Sequence, residues 1–217
     1  MTELDKSTSK EQIPEIIEKH GVVIEDHELV PTGPSRIKAY FQTWDLLIIS
    51  LLGIMGGFIS GLVPFRLLIE TWYPLVGGTQ LISGHHILWS SIAYGVTRKK
   101  ASMLLTAVVK GFVMFLLGST WGILEVPLSL LEAASLVAGF AIIEKLGEGN
   151  TRLGWGLASG IGNVTQVPLF WALTGKFFVI NNTLFIMAVM FGFASGVLIT
   201  GLLGKEIIER LRKAEIT

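Results

Sequence analysis

Polar and apolar residues along this chain fall into blocks instead of alternating. Residues 1–40 are mostly polar, and the runs 45–64, 80–97, 101–118, 123–143, 153–174 and 183–203 are almost continuously apolar. A helix rises 1.5 Å per residue, so about 20 apolar residues span the ~30 Å hydrocarbon layer of a bilayer. Lipid offers no partner to open backbone N–H and C=O groups, so such runs must be helices. The runs lack the period-two alternation of a transmembrane barrel strand, which excludes a porin-like barrel. The pattern predicts an all-α, polytopic membrane protein with six transmembrane helices. A polar acidic extension (1–40) precedes the membrane domain (41–206), and a basic tail (207–217) follows it.

Composition agrees. Apolar types make up 51% and charged types 16% of the 217 residues, against about 25% charged in ordinary soluble domains. Mean hydropathy is +0.62. The absence of cysteine excludes a disulfide scaffold, a thiolate metal site and a cysteine nucleophile. Seventeen basic residues balance seventeen acidic ones, which gives no support to nucleic-acid binding. The length suits one membrane domain without an ATPase of its own.

Charge placement tests the helix count. Arg36 and Lys38 precede the first run, and Arg98, Lys99 and Lys100 follow the second. Lys145 and Arg152 follow the fourth, and Lys205, Arg210, Arg212 and Lys213 follow the sixth. The intervening loops hold only Arg66 and Lys176. This alternation is the positive-inside pattern and predicts cytoplasmic termini, with 65–79, 119–122 and 175–182 facing outward. The extension has no basic start followed by an apolar core, so it is not a secretory signal. It reads as an aqueous segment whose stretch Ile13-Pro14-Glu15-Ile16-Ile17-Glu18 allows a short helix.

Intramembrane charge is the next signal. A charged side chain at mid-bilayer costs at least ~2.5–3.5 kcal/mol on insertion scales, which makes it a functional candidate. Lys110 lies nine residues past the inner start of the third run, and Glu132 nine residues past the outer start of the fourth. The two depths match, and a short loop makes the helices neighbours. A Lys110–Glu132 pair would offset most of the desolvation. A structural ion pair and a ligand contact both fit, and Glu125, nearer the surface, reads as solvated. His85 and His86 lie in the outer third of the second run, one turn from Trp89. Adjacent residues diverge by about 100°, so one of them at most faces a shared cavity. The spacing does not make a zinc site. Asn163, Gln166, Pro168 and Trp171 gather in the fifth run, where Pro168 should kink or end the helix. Trp72 stands in the aromatic-rich outer loop, as a membrane-interface residue or a ligand platform.

Other motifs are excluded. Gly201-Leu202-Leu203-Gly204-Lys205 lacks the Ser/Thr of a phosphate loop, and no Gly-x-Ser-Gly occurs. Gly53, Gly57 and Gly61 recur every four residues and form a flat face for close helix packing, against either an internal helix or another subunit. Gly192 and Gly196 repeat the spacing.

Six helices, inward termini, the stretch Phe115-Leu116-Leu117-Gly118-Ser119-Thr120-Trp121-Gly122 followed by Glu132, and the ending Ser195-Gly196-Val197-Leu198-Ile199-Thr200-Gly201-Leu202-Leu203-Gly204-Lys205 resemble the substrate-binding S component of energy-coupling-factor (ECF) vitamin transporters. The resemblance covers residues 44–206 and is to the thiamine or hydroxymethylpyrimidine precursor type in particular. It implies capture of a vitamin-like molecule near the outer face, a coupling T subunit, two separate ATPases and no catalytic activity in this chain. It also implies that small residues of the first helix, here Gly53, Gly57 and Gly61, meet the T subunit, although the family typically has alanines there. No cofactor or metal is expected. A heteroaromatic cation would stack on Trp72, Trp89 or Trp171, gaining ~2 kcal/mol when desolvated. Glu132 would accept from its exocyclic amine, and His85, Asn163 and Gln166 would orient it. Lys110 opposes a cationic ligand unless it is paired with Glu132. The competing readings are a stand-alone secondary transporter or channel, without the internal repeat that often marks such proteins, and a small membrane enzyme.

Overall fold

The computed structural model describes residues 22–25, 28–31, 40–62, 78–173 and 182–214. It divides into two compact units, Met1–Leu46 and Leu47–Thr217. The first contains an antiparallel pair, β1 (Val22–Glu25) and β2 (Glu28–Pro31), with Val22 opposite Pro31 and Glu25 opposite Glu28. Pro31, which has no N–H to donate, stands at the strand end where its loss costs least. The segment 13–18, with its allowance for a helix, lies outside the described residues.

Each apolar run is helical over most of its described length. The helices are α1 (Thr43–Leu62), α2 (Gly84–Thr97), α3 (Lys100–Leu116), α4 (Glu125–Lys145), α5 (Arg152–Val164), α6 (Gln166–Leu173), α7 (Asn182–Ser195) and α8 (Gly204–Lys213). Short 3₁₀ turns, Gly78–Leu81 and Gly122–Leu124, lead toward α2 and α4. A π-helical segment, Gly196–Leu203, joins α7 to α8 without a break. Among the described residues three stretches, Thr43–Gly61, Gly122–Lys145 and Asn182–Lys213, are long and apolar enough to cross a membrane. Others are shorter than their apolar runs: α2 has 14 residues, α3 has 17 and α5 has 13.

The fifth run is two helices, not one. Pro168 has no N–H for the carbonyl of Val164, and α5 ends at that residue. Thr165 makes the step, and α6 starts at Gln166.

Helix ends explain the tight loops. At the end of α4, Glu148 N donates to Ile143 O at 3.2 Å and Gly147 N to Glu144 O at 3.0 Å, with Gly147 at φ +81°. α3 ends alike, through Ser119 N to Met114 O at 3.1 Å and Gly118 N to Phe115 O at 3.0 Å, with Gly118 at φ +80°. Both are Schellman closures that need the left-handed region. α2 ends differently. Arg98 occupies the left-handed position at φ +59° and its N–H bonds to Tyr94 O. A side chain there costs about 1–2 kcal/mol relative to glycine.

Packing follows small residues. α3 lies on α4, α4 on α5, and α5 on the π-helical segment, while α2 touches α3 and that segment. The pentapeptides Gly156-Leu157-Ala158-Ser159-Gly160 and Gly192-Phe193-Ala194-Ser195-Gly196 share a pattern and stand on packed elements. A Cβ on Gly201 would come within 2.5 Å of Gly156 Cα, and one on Gly196 within 2.6 Å of Ser159 O. Van der Waals contact at such close approach drives helix association in lipid, where apolar burial alone gains little. Around this seam Tyr94, Phe140, Trp155 and Ile208 form a buried core. The Phe140 and Trp155 rings meet edge to face at 4.7 Å.

Candidate functional site

Buried polar side chains recur at helical spacing. Ser102, Thr106 and Lys110 form a column on α3, Ser129 and Glu132 follow on α4, and Ser159 and Asn163 stand on α5, with Gln166 at the start of α6. Residues three or four apart share a helix face. Each column therefore points into the bundle.

The columns of α3 and α4 meet in an ion pair. Lys110 Nζ lies 3.3 Å from Glu132 Oε2, and the two side chains are 3% and 6% exposed. Lys110 also donates to the main-chain oxygen of His86 at 3.0 Å. The His85 ring nitrogen Nδ1 stands 2.7 Å from Ile82 O, which fixes it as the donor, so that Nε2 is the acceptor in the neutral ring. Lys110 and Glu132 are charged neighbours of that ring. The His85 and His86 rings are 4.0 Å apart, tilted by 45°.

A second cluster surrounds Asn163. Its Nδ2 donates to Ser83 Oγ at 2.8 Å and to Gly192 O at 2.7 Å. Its Oδ1 accepts from Gln166 Nε2. Ser83 passes the chain on to Gln80 O at 2.9 Å. Gln80 Oε1 is buried without a hydrogen-bond donor among the described residues. Among the described residues the Thr106 and Ser159 hydroxyls and the Trp89 indole N–H are buried without partners as well, and each such group carries a desolvation cost.

Glu125 is not solvated as its position predicted. It is buried, and Ser119 Oγ donates to its Oε1. The cause is Gly111: a Cβ there would stand 2.7 Å from Val126 Cα, so the start of α4 presses on α3. Trp89 packs on α1, where a Cβ on Gly56 would reach its ring at 2.7 Å. Trp171 joins Val167 and Ala188 in a small apolar cluster, with its ring 5.0 Å from that of Phe185. The Trp89 indole N–H is buried without an acceptor among the described residues. Trp72 lies outside the described residues. Gly53 and Gly57 turn to Val109 and Val113 of α3, and Gly61 to Leu117 just past its end, so within this chain the row packs closely on that helix. Gln80 and Ser83 escape sequence reasoning, because polar residues between an outer loop and a helix start read as an ordinary turn. Among the described residues no group of three or more His, Asp or Glu side chains is placed to hold a metal ion.

The family described as ABC-type cobalt transport system, permease component, matches residues 44–166. The chain belongs to that family. The Lys110–Glu132 pair and Asn163 fall within the matched stretch, so the buried polar groups are part of a membrane transport permease component. A crystal structure of an S-component of an ECF transporter shares the fold, with a TM-score of 0.71 and 18% identity over 81% of this chain and 88% of that one. No curated protein matches the chain. The permease component thus has a known helical fold, with its charged pair near the middle of two neighbouring helices.

Proposed function

We propose that this permease component is the solute-capture subunit of an ATP-driven importer of the ECF type, taking up a vitamin-like small molecule at its outer half. In this reading six helices span the bilayer, both termini are cytoplasmic, and a T subunit with two ATPases supplies the energy. The observation that carries it is the buried Lys110–Glu132 pair beside His85. Lys110 has a second acceptor in His86 O. An incoming amine can therefore share Glu132 while the ammonium keeps one hydrogen-bond acceptor. A charge-assisted bond of this kind is worth about 1.5–3 kcal/mol. A thiamine-like ligand or its pyrimidine precursor offers such an amine on a flat ring. Asn163, Gln166 and Gln80 supply amide groups for its polar edge.

The family's description names cobalt transport, and the metal ion itself is the second reading. A divalent ion would seek the oxygen and imidazole donors of Glu132, His85 and His86, and the Lys110 ammonium beside them opposes it. Titration of the purified protein with thiamine, its pyrimidine precursor, riboflavin, biotin and Co²⁺, read by tryptophan fluorescence, separates the two. Submicromolar binding of an organic ligand that weakens in Glu132→Gln supports vitamin capture. Co²⁺ binding alone, or an organic affinity unchanged by Glu132→Gln, overturns it.

A further inference from the structure

One end of the bundle gathers cations from three places in the chain. Arg98 closes α2 in a backbone conformation that glycine would hold more easily, and its Nη1 is fixed to Asn150 Oδ1 at 3.2 Å. Arg212 of α8 reaches the same helix end and donates from Nη2 to Gly95 O at 2.7 Å. Lys205, at the start of α8, is 7% exposed. Its ammonium stands 5.1 Å from the Trp155 ring centroid. Among the described residues no oxygen hydrogen-bonds to that ammonium. Its charged neighbours are Arg98, Glu209, Arg212 and Arg152.

The nearby carboxylates are already engaged. Arg152 Nη2 holds Glu206 at 3.0 Å and Glu209 at 2.7 Å. Glu144 takes Lys100 and the Tyr94 hydroxyl. Left over are an ammonium lacking an acceptor and two guanidinium groups, each held by one nitrogen with other N–H donors to spare. Three cations repel one another, and the aromatic face of Trp155 only partly relieves Lys205. The group that completes such a cluster is a compact anion with several acceptor oxygens. Guanidinium forks match phosphate in this way. Basic pockets between helix ends at a membrane surface meet that chemistry in lipid headgroups.

We propose that Arg98, Lys205 and Arg212 form a phosphate-binding site at this end of the bundle, filled by the headgroup of an anionic phospholipid or by a free phosphate. The site lies apart from the Lys110–Glu132 pair and does not rest on the solute-capture reading.

Native mass spectrometry of the delipidated full-length protein tests it, with phosphatidylglycerol, phosphatidylcholine and inorganic phosphate as separate probes. Phosphatidylglycerol should be retained over phosphatidylcholine. Each cation near a membrane surface is worth about fivefold in affinity. Lys205→Met should therefore weaken phosphatidylglycerol binding about fivefold, and Lys205→Arg should restore it. Arg98→Gly is the folding control, because it relaxes the left-handed backbone. It should melt no lower than the parent and still bind about fivefold less tightly. Binding of inorganic phosphate with the same dependence on Lys205 and Arg98 supports the site with a soluble occupant. Equal retention of both lipids without phosphate binding, or phosphatidylglycerol binding untouched by Arg98→Gly and Lys205→Met, overturns the proposal.

Discussion

Lys110 on α3 and Glu132 on α4 form an ion pair, 3.3 Å apart, with almost no access to solvent. Desolvation of both charges makes the pair a weak source of net stability, whereas loss of one partner strands the other. Glu132→Gln or Lys110→Met alone should therefore destabilise the protein by about 3–5 kcal/mol. The double variant should recover most of that loss. A thermal double-mutant cycle in detergent measures it. Additive losses would show that the two side chains do not depend on each other.

Close packing of α1 on α3 makes a second prediction. A methyl group on Gly57 would lie 2.5 Å from Val113 Cβ and 3.0 Å from Lys110 O. Overpacking of this size typically costs about 1–3 kcal/mol. Gly57→Ala should lower the melting temperature of the isolated chain, and Val113→Ala should partly restore it. A Gly57→Ala protein that melts normally but loses a bound coupling subunit would assign the row to an external partner instead.

Asn163 gives the third. It donates to Ser83 Oγ and Gly192 O and accepts from Gln166, which joins α2, α5, α6 and α7 through one amide. Asn163→Asp, ionised, keeps the acceptor and loses both donors. Each unmet buried bond costs about 1–3 kcal/mol, so the melting temperature should fall clearly. Asn163→Ser, with one donor, should fall between the two. Equal stability for all three proteins would mean that the network contributes nothing.

The apolar blocks sufficed to place α1 to α5 and α7, because hydrocarbon dictates the helical conformation of such runs, but not the split of the fifth run at Thr165 or α8, which lies beyond the last run. Matching depths in adjacent runs also sufficed for Lys110 and Glu132, since an isolated buried charge is too costly to leave unpaired. Where depth was the only clue, the reading failed: Glu125 sits at a helix start yet is buried, because Gly111 lets α4 lean inward. Aromatic type does not by itself separate a ligand platform from a packing group: the Trp89 and Trp171 rings stand beside Gly56 and Phe185, and the Trp89 N–H has no acceptor among the described residues. Gln80 and Ser83 are visible only once a 3₁₀ turn carries them to Asn163. Such contacts between residues distant in sequence leave no local pattern.

Opposite ends of the bundle make the last prediction. Arg98 with Asn150, Arg152 with Glu206 and Glu209, and Arg212 with Gly95 bring the segments after α2 and α4 together with α8. Trp121, beyond α3, instead meets Phe170 of α6, with ring centroids 5.7 Å apart. The loops assigned to one side by their basic residues are thus neighbours in space, as the six-helix reading with cytoplasmic termini requires. The chain has no cysteine, so single cysteines report sidedness without background. Glu148 and Thr120 are both exposed in loops. In intact cells, Thr120→Cys should react with a membrane-impermeant maleimide and Glu148→Cys only after permeabilisation. Labelling of both from outside, or of Glu148→Cys alone, would reverse or dismantle the topology. The proposed inward orientation of the basic end and outward orientation of the solute site would then both have to be reassigned.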